Sequence, residues 1–529
     1  MKKWIALLLA AVMVCGLFSG CGSDGEKAYV PTGDAILLEG QDPEDIIRDE
    51  EEIQELTLAY YPDRSMNPLI GNNYVNRVLF SLIYQGLFSV DSKNNTHPIL
   101  CSNYQVSSDN MVYTYYVDPE ATFSDGTRVT IEDVFATYEA ARAGGYFKGR
   151  FTHVNNIALD PSGGITFTLN TPYANFSILL DVPIVKASEV EAEHPVGSGP
   201  YKFSKSLSGA HLSKVNSWWC DVKLPTNAES ITLIEATSQG QLRDEFEFGD
   251  LGLSIANPMF DSFENYRCDY ELWNVENGVF LYLGVNVGYS EYFETDVLRK
   301  ALTYAIDRET LIEENYRGMA QPATLACSPG SPYYSQSLAE KYGYDAMKFI
   351  DLIAGFQIPK NEDGKQQRLR LLVNSDDSAR LRTARDIADA LTEMGIPCGT
   401  LEYGTAGGGT TFEQVLRAGT YDLYLGQTKL SVTMDLSEFF RPYGNLSFGG
   451  ITDNTIYQKC RDALANSGNY YNLHELVAND GKIIPVAFGS YSVFAERGLL
   501  TKLSPSRDNT FFYKLERTMS SVKIDTVYE

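Results

Sequence analysis

Cys21 is the residue at which the sequence most directly predicts chemistry. Lys2 and Lys3 open the chain, an apolar run from Trp4 to Phe18 follows, and Ser19 and Gly20 stand immediately before the cysteine. A basic start, an apolar stretch too short to cross a bilayer comfortably and small residues at a break describe a targeting segment, here 1–20, that is removed on export. A cysteine directly after the break predicts a thiol alkylated by a diacylglycerol, as in a bacterial lipoprotein, so that the body meets a membrane only through its N-terminal lipid. An ordinary secretory peptide with an incidental cysteine is the competing reading.

Other candidates for chemistry are sparse. Cys101, Cys220, Cys268, Cys327, Cys398 and Cys460 form no C-x-x-C pair, which argues against a metal clip or a redox dithiol. Buried free thiols are expected for most of them, with any pairing left open. His97, His153, His194, His211 and His474 are scattered without ligand spacing, and each reads as a surface or capping residue. "HELVA" at 474–478 places Ala478 where a zinc-protease helix needs its second histidine, and "GSGPY" at 197–201 lacks the spacing of a nucleophile elbow. A phosphate-binding G-x-x-x-x-G-K-[ST] loop is also missing. The expectation is therefore no catalytic residue, no metal and no cofactor, and a secreted hydrolase is disfavoured.

The elements that would position any binding site are clearer. "ELTLAYYP" (55–62) alternates as a strand does, and "VYTYYVDPEATFSDG" (112–126) is an aromatic strand running into an Asp-Gly turn. In "TIEDVFATYEAARAGG" (130–145), Thr130 can cap a helix with Asp133 at the third position. "DVLRKALTYAIDRETLIEENYRG" (296–318) reads as a helix pair, the second capped by Asp307. "LRLLVN" (369–374), a helix over 379–395 closed by Gly395, and "CGTLEY" (398–403) form strand, helix, strand, which predicts a right-handed crossover in a mostly parallel sheet. "TYDLYLG" adds a further strand, so residues from about 280 to 480 read as an α/β unit of their own.

The whole chain of 529 residues has a formal charge of −26, which repels nucleic acid and anionic lipid headgroups. Residues 22–55 hold only Lys27 and Arg48 against a dense acidic series ending in "RDEEEIQE", and such a block is a solvated tether between lipid and body. Tyrosine (34) and phenylalanine (26) are abundant; most suit strand and core positions, and the rest suit the walls of an adaptable ligand cleft.

Four stretches together resemble one family. "NPLIGNNYVNRVLFSLIYQGLF" (67–88), "FSDGTRVTIEDV" (123–134), "PVGSGPYKF" (195–203) and "LRKALTYAIDRETLI" (298–312) are similar to stretches of the extracellular solute-binding proteins of family 5, the oligopeptide, dipeptide and nickel-binding components of ABC importers. The resemblance runs from about Leu56 to Leu499. It implies an α/β fold of the periplasmic-binding-protein type II, with two lobes, three domains, mixed sheets and a hinged ligand cleft. One lobe would comprise 56–76, 197–278 and 485–529 with a strand-rich insertion at 77–196, and residues 279–484 would form the other. The implied protein is a monomer at the outer face of a bacterial membrane, working with an ABC permease and its ATPase on peptides or a peptide-like solute. A surface receptor for a signalling peptide, or a binder of a sugar or metal chelate, would use the same fold.

The resemblance also places the site. By position Asn72, Asn73, Tyr74 and Tyr146 correspond to cleft-lining residues. Peptide binders of the family carry a G-W-x-x-D stretch after a Tyr-Asp strand, whose acid pairs with the peptide ammonium. Here Tyr421-Asp422 is followed by "LYLGQTKLS", so that Thr428, Lys429 and Ser431 occupy the ligand-facing stretch and Ser431 replaces the acid. Asp435 is the nearest substitute, Lys429 suits a carboxylate or another anion, and the glycines 407–409 fall where some peptide binders carry a tryptophan.

Overall fold

The computed structural model describes residues 56–71, 73–91, 94–207, 209–220, 228–257, 266–405, 409–497 and 499, with the backbone of 523–527. The predictions for Cys21, the acidic tether, Asn72 and Gly407 lie outside these residues.

The strands in chain order are β1 (Thr57–Tyr60), β2 (Phe88–Val90), β3 (Thr96–Pro98), β4 (Cys101–Ser107), β5 (Val112–Val117), β6 (Val154–Leu159), β7 (Ile165–Leu169), β8 (Tyr201–Ser206) and β9 (Gly209–Lys214). They continue with β10 (Ser230–Glu235), β11 (Leu253–Ala256), β12 (Tyr270–Val285), β13 (Ala320–Pro322), β14 (Leu369–Asn374), β15 (Cys398–Tyr403), β16 (Leu423–Lys429), β17 (Ile483–Glu496) and β18 (Lys523–Val527). The largest sheet runs β15-β14-β16-β12-β17-β11-β1-β10-β9-β8, with β13 beside β17. A second sheet, β18-β4-β5-β7-β6, joins four strands of the early chain to β18, which pairs in parallel with β4, and β2 and β3 form a hairpin.

Local chemistry set most of these elements as expected. Thr130 and Asp133 exchange the reciprocal hydrogen bonds of a capping box at the helix Ile131–Ala143, and Asp307 caps Arg308–Tyr316. The helix Ser378–Glu393 joins β14 to β15, which pair in parallel. The sheets are mixed, as the resemblance implies: the crossover strands β14, β15 and β16 pair in parallel, as do β1, β10 and β11, but the mostly parallel surroundings expected of the crossover are corrected, because β12 and β17 run antiparallel to each other and to their other neighbours. The sheet is mixed because the two longest strands return across its middle.

Those two strands link two hydrophobic cores. Trp273 and Val275 of β12 and Val493 to Ala495 of β17 pack in the first core, with the early half of the chain. Val279 to Leu283 of β12 and Ile483 to Phe488 of β17 pack in the second. The register between the strands shifts between Glu276 and Phe280, and Gly278 lies there at φ +73°, a left-handed conformation that costs glycine least. "GSGPY" has a packing reason rather than a catalytic one. A Cβ at Gly197 or Gly199 would enter the backbone of Leu82 and Ile83 at the end of the helix Tyr74–Ile83, and Gly199 N–H donates to the Ile83 carbonyl at 2.8 Å.

All six cysteines of the body are free, and only Cys268 is partly exposed. Two histidines depart from the surface reading: His153 and His474 are 7% and 1% exposed. Among the described residues no helix is long and apolar enough to cross a membrane.

Candidate functional site

The helix Tyr74–Ile83 begins the site. Asn73 is its N-cap, accepting hydrogen bonds from Val75 N–H at 2.9 Å and Asn76 N–H at 3.1 Å, so its side chain organises the helix start. Tyr74 follows as a half-exposed ring stacked on Tyr491 at 5.7 Å, and its hydroxyl accepts from the Gln239 amide. One turn on, Arg77 places its guanidinium 3.4 Å from the centre of the Tyr146 ring.

Lys429, the last residue of β16, reaches Tyr146 from the second core. Its ammonium donates to the Tyr146 hydroxyl and lies 4.4 Å from the ring centre. Tyr146 thus meets two cations, the buried Arg77 over its ring, as the negative face of the ring favours, and the exposed Lys429 at its hydroxyl. Tyr74, Tyr146 and Tyr491 pack against the first core, whereas Leu430, next to Lys429, belongs to the second. Thr428 is half-buried in β16 opposite Phe280 of β12. The structure therefore brings Tyr146 and Lys429 into contact and leaves Thr428 within the sheet.

Ser431 and Asp435 belong to a turn that is already saturated. The Ser431 hydroxyl accepts from Asp435 N–H at 3.2 Å and meets the Thr433 hydroxyl at 3.1 Å. One Asp435 oxygen accepts from Ser437 N–H at 2.9 Å and from the Ser437 hydroxyl at 2.6 Å; the other lies 2.6 Å from His153 Nε2. Burial alone would push the His153 pKa down and the Asp435 pKa up, but the pair outweighs burial on both sides. His153 therefore lies above its ordinary value and Asp435 below. Asp435 thus has a protein cation as its partner, which removes it as a ready substitute for the ammonium-binding acid.

The same turn meets the first core elsewhere. Tyr173 and Thr433 pair through their hydroxyls, Ala174 N–H donates to the Leu464 carbonyl at 2.9 Å, and Val432 and Leu464 are buried in the first core. His474 is unlike His153: burial pushes its pKa down to about 4, so it is a neutral core residue. Among the described residues no group of three or more His, Cys, Asp or Glu has metal-binding geometry.

Sequence reasoning missed Arg77 and His153. Arg77 stood in view, three residues after Tyr74 and so on the same helix face. His153 carried no local signal, because its partner is 282 residues away.

The model of the bacterial extracellular solute-binding proteins, family 5 Middle, matches residues 95–448. The glutathione-binding protein GsiB of Escherichia coli O1:K1 is 26% identical over 306 residues, 55% of this chain and 58% of that protein, so the chain spans little more than half the length of the curated relatives it matches. Among solved structures, NikA of Brucella suis in complex with Fe(III)-EDTA aligns with a TM-score of 0.67 at 17% identity, over 88% of this chain and 100% of that one. The periplasmic murein tripeptide binding protein MppA, in its unliganded open form, aligns with a TM-score of 0.68 at 14% identity, over 92% and 99%. At those identities the structures show the shared type II binding-protein fold, and the family match covers most of the chain: the protein belongs to the family 5 bacterial extracellular solute-binding proteins.

Proposed function

We propose that this chain is the substrate-binding component of an ABC importer and encloses a peptide or peptide-like solute between two lobes that move about the irregular segment of β12 near Gly278. The observation that carries the reading is the meeting of Tyr146 and Lys429, which stand against different cores. A ligand that touches both sides only when they are together stabilises the closed form by that difference. Lys429 stands exposed at the aromatic wall while Asp435 is taken by His153, so recognition rests on a carboxylate of the ligand rather than on its ammonium. Relatives named for glutathione, and structures holding Fe(III)-EDTA or named for a murein tripeptide, are in keeping with carboxylate-bearing solutes. In this proposal Cys21 carries the lipid, residues 22–55 are the tether, and the protein acts as a monomer beside its permease, at an effective concentration raised by the anchor.

The test is native mass spectrometry of freshly purified protein with mild denaturation to release any co-purified solute, followed by titration with peptides and their N-acetylated and C-amidated forms. Acetylation should leave affinity nearly unchanged, amidation should weaken it, and Lys429→Met should weaken it about tenfold, the loss of one charge-assisted contact of ~1.4 kcal/mol. Binding that needs a free amine and ignores the carboxylate would overturn this mode of recognition; no binding of any peptide-like solute would overturn the solute class.

A further inference from the structure

Behind Tyr146 lies a cavity of about 60 Å³, lined on one side by Arg77, Ser81 and Gln85 and on the others by Phe147 and Asp181 among apolar neighbours. Arg77 and Ser81, four apart, share a face of the helix Tyr74–Ile83, and Gln85 joins them after the chain leaves the helix through the extended Tyr84. Their state is unusual for an interior. Arg77 is 7% and Gln85 4% exposed, yet Arg77 Nη1 and both ends of the Gln85 amide are buried without a hydrogen-bond partner among the described residues. Asp181, the acid in the wall, is paired with Arg150. The Arg77 guanidinium lies over the rings of Tyr146 and Phe147.

Such groups are stable only when something answers both the charge and the hydrogen bonds. Among the described residues the unpartnered atoms of the cavity are two donors, Arg77 N–H and the Gln85 NH₂, and one acceptor, the Gln85 carbonyl, while the Ser81 hydroxyl donates to the Val78 carbonyl and Asp181 pairs with Arg150; turning the amide over changes which end is which, not the count. Water answers the hydrogen bonds but not the charge. Chloride answers the charge and the donors but leaves the amide oxygen unmet. An oxyanion with its own O–H answers all three. The size agrees: solute clefts take roughly 300 Å³ or more, whereas this cavity has room for only a few heavy atoms, on the scale of about 10–15 Å³ for each water-sized sphere.

We propose that this cavity binds a small protonated oxyanion, of the hydrogencarbonate or dihydrogen phosphate kind, between Arg77 and Gln85. The bound anion fixes the guanidinium beneath Tyr146 and so sets the ring that Lys429 meets, making the site a support for the cleft rather than part of it. The inference does not depend on which solute the cleft takes.

Thermal denaturation of the purified protein, titrated with sodium phosphate at pH 6 and sodium hydrogencarbonate at pH 8 against sodium chloride at matched ionic strength, tests it. One of the two oxyanions should raise the midpoint in a saturable way, with chloride at least tenfold weaker, and the arms identify which. Gln85→Leu, which keeps the volume and removes both amide atoms, should weaken that binding at least tenfold while the protein still folds; Arg77→Met should abolish it. If Arg77→Met does not fold, Gln85→Leu carries the test alone. Equal effects of chloride, no saturable shift, or an unchanged response in Gln85→Leu would each overturn the proposal in favour of water or general screening.

Discussion

At the scale of single residues, the proposed cleft separates side chains that would build it from those that would face it. Asn73 caps the helix Tyr74–Ile83, so Asn73→Ala should cost about 1 kcal/mol of stability and leave ligand affinity of the folded protein within twofold, as melting and titration of the same preparation would show. The His153–Asp435 pair makes a pH-dependent contribution. His153 titrates above its ordinary value in the folded state, so its stabilisation is present below the unfolded pKa near 6.5 and is lost as pH rises through the folded value. Asp435 titrates below its ordinary value, so its share is present above about pH 4 and is lost as pH falls through the folded value. Denaturant unfolding of wild type and His153→Gln should therefore differ most between the ordinary carboxylate and imidazole values, by roughly 3 kcal/mol for a buried ion pair, and converge as pH rises through the folded value of His153; a gap that widens with pH would refute the pairing. The pairing of the two was not legible in advance. Counting from Tyr421-Asp422 singles out Lys429, which the structure places against Tyr146, but the use of Asp435 by His153 and the support of Tyr146 by Arg77 are tertiary facts without local sequence signature.

Among elements, what the sequence disclosed was what short-range physics controls. Caps at Thr130 and Asp307, the strand at 369–374 and the helix that follows it arise within a few residues of one another, so their signals are local. Sheet order is not local: nothing in "LRLLVN" reveals that β12 and β17 cross the middle of the sheet, and the expectation of mostly parallel pairing failed there. The "GSGPY" stretch belongs to this scale as well. Gly197→Ala would drive a methyl group into the Ile83 carbonyl and should destabilise the protein by about 1–3 kcal/mol, in the range of overpacking, lowering the unfolding midpoint without changing affinity in the folded fraction.

For the whole molecule, the contacts that cross between the cores converge on the 429–435 segment, where Tyr146, His153 and Tyr173 of the early chain meet Lys429, Asp435 and Thr433. If these hold the lobes together, small-angle scattering should show a smaller radius of gyration for unliganded wild type than for the double variant His153→Gln, Tyr173→Phe, and solute should bring the two values together. Identical scattering of both unliganded proteins would show that the pairs do not govern opening. The return of β17 to the early chain has a further consequence for synthesis. β11 pairs with β1 on one side and with β17 on the other, so a nascent chain that has emerged through residue 480 has made almost all of its first core yet leaves β11 an unpaired edge, open to a wrong partner. Completion waits for Val493 to Ala495, far downstream of β11, and the first core is thereby held short of its native state until the ribosome has passed them.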